Sequence, residues 1–251
     1  MIDYAIRVKH VSKKFKLYHE KRDSVYESIT GYFNRKKNYE ILQALEDVTF
    51  DVKPGEVFGI IGRNGGGKST LLKIISKIYH PDSGSVDVNG TIIPLLSLGL
   101  GFHPELTAIT NIYQSSILLG YTKKEISQRV EDIIKFAELE KFADTKLKNF
   151  SSGMQMRLAF ATSVLVNPDI LLLDEVFAVG DLNFQKKCFD SIMSFKKQGK
   201  AIIFVSHDMT PIKNFCDTVM FLKEGKVGTI GTPEEAVADY VDYLGKIKNQ
   251  L

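Results

Sequence analysis

Apolar positions along the chain fall into two periods. Val48, Phe50 and Val52 alternate with Thr49 and Asp51, the mark of a half-buried antiparallel strand, and residues 6–11 read as a companion strand. Three continuous apolar runs, residues 57–61, 169–174 and 201–205, read as strands buried on both faces of a parallel sheet. Residues 83–84 belong to a turn that opens at His80, a strand follows over 85–88, and residues 218–222 and 226–230 form a hairpin joined at Glu224-Gly225. Helical spacing takes over between these runs. Residues 71–78 continue from a glycine-rich loop. Thr122 with Glu125 makes a capping box, after which Ile126, Val130, Ile133, Ile134 and Ala137 repeat on one face. Cys188, Phe189, Ile192 and Phe195 mark a helix closed by Gly199, and Thr232-Pro233-Glu234-Glu235 caps a last one.

The pattern predicts an α/β chain in a single domain. Its core and antiparallel β subdomain would occupy about 1–96 and 160–231, with a helical subdomain inserted over about 97–159 and a C-terminal helix over 232–251. Strand, loop and helix meet at Gly62-Arg63-Asn64-Gly65-Gly66-Gly67-Lys68-Ser69-Thr70, which satisfies the phosphate-loop pattern G-x-x-x-x-G-K-[ST] in full. Glycines let successive N–H groups converge on anionic oxygens, and the helix N-terminus behind them adds partial positive charge. Lys68 supplies a point charge, and the Ser69 hydroxyl suits Mg²⁺. A nucleoside triphosphate is the expected ligand.

Two strand ends add to this chemistry. Asp174 and Glu175 close one buried run, at the edge where parallel sheets bind ligands; the first would hold Mg²⁺ and the second would polarise an attacking water. His207 follows the next run and could contact the γ-phosphate or fix that water. Ser151, Ser152 and Gly153 precede a helix carrying Leu158, Ala161 and Leu165. They read either as an ordinary serine N-cap or as a second anion site.

Composition narrows the class. At 251 residues with 44% hydrophobic and 25% charged, the chain can bury a full core. A net charge of +3 is too small to argue for nucleic acid, though it suits an anionic membrane surface. Cys188 and Cys216 lack metal-ligand spacing and read as reduced, small apolar residues. The longest apolar run, 92–102, is broken by Pro94, Gly99 and Gly101 and is too short to span a bilayer. Residues 19–43 form an insertion mixing aromatic Tyr26, Tyr32, Phe33 and Tyr39 with Lys21, Arg22, Arg35, Lys36 and Lys37. Val25, Ile29 and Phe33 at helical spacing suggest one short amphipathic helix there, suited to a membrane interface or equally to a solvated surface.

Phosphate loop, serine-glycine signature, Asp-Glu strand end and following histidine, in that order, resemble the ABC-type ATPases over nearly the whole chain. The resemblance implies that two copies face each other, so that Ser151, Ser152 and Gly153 of one cap the γ-phosphate of ATP held by the other. It makes residues 178–181, ending at Asp181, a dimer-interface loop, and offers Phe15 or Tyr18 as the adenine platform. The chain departs from the general family in reading FSSGM for LSGGQ and AVGD for SALD, and in lacking the usual glutamine before His103. Those departures, with L-G-x-G-F-H-P-E-L-T and D-E-x-x-A-V-G-D-x-x-F-Q-x-K-C, look like the ATPase subunits of polysaccharide exporters for O-antigen and teichoic acid. The branch implies ATP and Mg²⁺ as cofactors, a homodimer and a polytopic permease as partner. It also implies a lipid-linked polysaccharide as cargo, no nucleic acid, and a peripheral place on the cytoplasmic face of the membrane. An ATPase of another transporter, or a soluble one in DNA repair or translation, shares the core motifs.

Overall fold

The computed structural model describes residues 4–18, 39–95, 98–174 and 181–248. Among them a six-stranded sheet runs in the order β5-β6-β7-β3-β8-β9. Its members are β3 (Val57–Ile61), β5 (Ile92–Pro94), β6 (Ile170–Asp174), β7 (Ala201–Ser206), β8 (Thr218–Lys223) and β9 (Lys226–Gly231). All neighbours are parallel except the β8–β9 hairpin. A three-stranded antiparallel sheet, in the order β2-β1-β4, joins β1 (Ile6–Tyr18), β2 (Tyr39–Val52) and β4 (Ser83–Val88).

Alternation along the central strands sends side chains into two cores. Val57, Ile61, Ile202 and Phe204 meet the helices on one face, whereas Phe58, Ile60, Ile203 and Val205 meet the antiparallel sheet on the other. Phe50 stacks on Phe58 at 5.0 Å and joins the two sheets. The helices are α1 (Lys68–Ile75), α2 (Ala108–Leu118), α3 (Lys123–Ser127), α4 (Val130–Ala137), α5 (Ser152–Leu165), α6 (Leu182–Lys197), α7 (Met209–Phe215) and α8 (Pro233–Lys248).

Several elements differ from the sequence reading. β1 runs on to Tyr18 and β2 begins at Tyr39, so residues 39–43 of the expected insertion are strand; residues 19–38 lie outside the described residues. Register shifts between Val8 and Val11, and again around Lys13, break the alternation that would have disclosed the extension. Ser83 and Gly84 are strand rather than turn. Gly84, at φ 84, lies where a Cβ would come within 2.3 Å of the Lys9 and His10 carbonyls, so the β1 backbone bulges against a residue without a side chain. The single amphipathic face expected after Thr122 is divided between α3 and α4. Ile126, Ile133, Ile134 and Ala137 are buried on it nonetheless, and the capping box is present. The cysteines are free and buried, and burial pushes both thiols up to about 12, so neither is a thiolate at neutral pH.

Candidate functional site

At the carboxyl edge of the parallel sheet, β3 hands over to the glycine-rich loop and α1. Gly67 is the pivot. It holds φ 97, and a Cβ there would lie 2.5 Å from the Ala44 carbonyl of β2. Gly66 donates its N–H to the Arg63 carbonyl at 3.1 Å and closes the loop on itself. The Lys68 side chain is buried, and its Nζ donates to the carbonyls of Gly62 at 2.6 Å and Arg63 at 2.9 Å. A cation folded into its own loop this way stands ready for anionic oxygens.

Register brings the acid to the same place. Ile61 pairs with Ser206, and Asp174 pairs with Val205, so β3, β6 and β7 end side by side. A cavity of about 540 Å³ opens there. Its loop wall carries Arg63, Asn64, Gly65, Gly67, Lys68, Ser69 and Thr70, with Asp174 opposite; Phe15, Leu42, Gln43, Ala44, Lys73 and Tyr79 complete it. Among the described residues no group of three or more His, Cys, Asp or Glu side chains is placed to hold a metal ion. Ser69 and Asp174 therefore offer one hydroxyl and one carboxylate. That small donor set fits a hard divalent cation which keeps its remaining contacts with phosphate oxygens and water.

Of the two candidate adenine platforms, Phe15 lines the cavity. Its ring meets Tyr79 edge-on at 5.7 Å, with the Lys13 ammonium 5.6 Å from its centroid. Tyr18 is 72% exposed near the end of the β1–β2 ribbon, tilted against Tyr39 and away from the cavity lining. Tyr79 and Lys73, 5.3 Å apart as ring and ammonium, belong to the wall although no motif announced them. The visible signal was only a tyrosine just beyond the loop helix.

The remaining expected residues sit elsewhere. Ser151 is the N-cap of α5, its Oγ accepting from the Met154 N–H at 3.2 Å, and residues 151–153 are absent from the cavity wall. His207 is exposed one step past β7. Asp181 caps α6, accepting from the N–H groups of Asn183 and Phe184 at 3.0 Å each, and pairs with Arg157 on α5. Those N–H groups, foremost that of Phe184, together with Arg157 hold its carboxyl below the usual aspartate range. Arg157, which sequence reasoning passed over, also reaches Glu138 at 2.8 Å and ties the α5 helix to both α4 and α6. Glu175 and residues 178–180 lie outside the described residues.

Comparison with known proteins gives these features a family. The model for "ABC transporter" matches residues 45–178. The chain is 42% identical to an O-antigen export system ATP-binding protein of Klebsiella pneumoniae, over 94% of this chain and 96% of that protein. It is 40% identical to a teichoic acids export ATP-binding protein of Bacillus anthracis over its whole length, yet spans only 44% of that longer protein. Among solved structures, an ATP-binding cassette dimer in a post-hydrolysis state with ADP and Pi superposes with a TM-score of 0.68 at 26% identity, covering 91% of this chain and 98% of that one. Loop, strand-end acid and signature helix thus sit in a frame shared from end to end, and the chain belongs to the ABC transporter family.

Proposed function

We propose that this chain is the ATP-binding and hydrolysing subunit of an exporter that moves a lipid-linked polysaccharide, of the O-antigen or teichoic acid kind, through a separate polytopic membrane subunit. The observation that carries the ATPase half is the cavity in which the phosphate loop, Asp174 and Phe15 converge. The cargo half rests on the 42% identity to an O-antigen export protein along almost its full length.

Phe15 stacks on the adenine, while the N–H groups of Gly65 and of residues 67–70, with Lys68 Nζ, take the phosphates. Ser69 and Asp174 would hold Mg²⁺, which when bound would supply neutralising charge for the phosphates. Glu175, next in the chain, accepts the proton of the attacking water, and His207 orients the γ-phosphate. Ser151, Ser152 and Gly153 serve the nucleotide of a second copy, which accounts for their absence from this copy's cavity wall, and residues 178–181 serve the shared interface. Among the described residues no helix is long and apolar enough to cross a membrane. The subunit works from the cytoplasmic face, where ATP is available, docked on the permease.

Purified chain should hydrolyse ATP in the presence of Mg²⁺, and Lys68→Ala should lower nucleotide affinity by tenfold or more, the scale of a lost charge-assisted contact. Equal affinity in the variant would overturn the loop's role. Loss of the gene should strip surface polysaccharide from the cell; an unaltered surface glycan would overturn the cargo.

A further inference from the structure

A second cavity, of about 230 Å³, shares the loop residues Arg63, Asn64 and Gly65 with the main one and is closed by Leu222, Glu224 and Tyr243. Tyr243 belongs to the C-terminal helix α8. It is 9% exposed, its ring lies 5.5 Å from Phe221, and the Lys223 ammonium sits 4.9 Å from its centroid. Its phenol donates to Glu224 Oε1 at 2.6 Å, and Arg63 lines the same small cavity. Glu224, at φ 48, is half of the β8–β9 turn; the other half, Gly225, donates its N–H to the Gly66 carbonyl of the phosphate loop at 3.0 Å. The Gly225 carbonyl in turn accepts from the Glu46 N–H of β2 at 2.8 Å. Arg63 supplies the backbone carbonyl that receives both Gly66 N–H and Lys68 Nζ.

From this chain of contacts we infer that Tyr243 is a positioning residue for the nucleotide site: α8 holds the 224–225 turn through its phenol, the turn holds Gly66, and so the phosphate loop keeps the shape that receives the phosphates. A phenol packed against the core needs a hydrogen-bond partner, and here the partner is the turn rather than α8 itself. The bond to Glu224 also pushes the phenol's pKa up. A shift of α8 is thereby felt at residues 63–68. The inference rests on the reading of that loop as an ATP site.

Tyr243→Phe keeps the ring against Phe221 and removes only the hydroxyl. ATP affinity, measured by equilibrium dialysis, should fall roughly threefold to tenfold, the effect of one lost hydrogen bond on a pre-organised loop. KM for ATP should rise to match, with kcat within about twofold and Tm close to that of the parent chain. Glu224→Ala should give the same affinity loss, and the double variant should be no worse than either single one. An unchanged affinity in Tyr243→Phe, a fall in Tm with affinity preserved, or additive losses in the double variant would each overturn the inference. ATP binding by the parent chain is the control: its absence would instead defeat the ATP-site reading beneath it.

Discussion

Gly67 shows how much of the site one residue can decide. Its positive φ and the Ala44 carbonyl, 2.5 Å from where a Cβ would stand, exclude any side chain without movement of β2 or of the loop. Gly67→Ala should therefore cost about 1–3 kcal/mol of stability in urea denaturation and weaken ATP binding more than tenfold, since the strained position lies in the loop itself. Parent-like values of both would mean that the loop has another conformation open to it. The glycine pattern and Lys68 were legible because their spacing is itself the chemistry. Phe15 and Tyr18 were indistinguishable as aromatic side chains beyond the end of the strand expected over residues 6–11. Strand pairing separates them: Phe15 lies opposite Leu42 beside the cavity, whereas Tyr18 lies opposite Tyr39 near the end of the ribbon. Tyr243 was invisible for a related reason. Its partner is Glu224 in a turn, and the Arg63 that shares its cavity lies in a loop 180 positions earlier, and no local period connects them.

Among the elements, buried strands and capped helices were the easiest to read, since a continuous apolar run or a capping box has few other uses. Thr232 and Glu235 illustrate the second. The Glu235 N–H donates to Thr232 Oγ1 at 3.3 Å and the Thr232 N–H donates to Glu235 Oε2 at 2.9 Å, which secures the start of α8. Thr232→Ala should cost about 1 kcal/mol by urea denaturation, the usual worth of an N-cap; no loss would mean that α8 is held by its core contacts alone. Helix α6 begins on Asp181, whose folded pKa is depressed first by the Phe184 N–H and further by Arg157. Its charge contributes stability above the unfolded aspartate value of 3.8, and that contribution is lost as pH falls through the lower folded value. Asp181→Asn should thus be the less stable protein near neutral pH, with the gap closing below 3.8; a pH-independent gap in urea midpoints would refute a role for the charge. The β1–β2 ribbon was half-legible. Bulges shift the phase of its alternation, and Leu17, Ile41 and Leu42 remain more than two-fifths exposed, so no buried face marked its length.

For the whole molecule, two sheets and their helices place the phosphate loop, Asp174 and Phe15 around one cavity and leave Ser151, Ser152 and Gly153 off its wall. In the proposed sandwich the second half of the site comes from another copy, and neither element periods nor motif spacing within one chain can draw that interface. The order of the motifs suggested it only through resemblance to a family. Glu175→Gln should trap the assembly, because ATP binds but the water lacks its base. The decisive measurement is the mass of that variant by light scattering, with and without saturating ATP and Mg²⁺. Bound ATP should convert the 28.2 kDa chain into a species of twice that mass, and removal of ATP should reverse it. A variant that binds ATP yet stays at 28.2 kDa would contradict the sandwiched dimer on which the account depends.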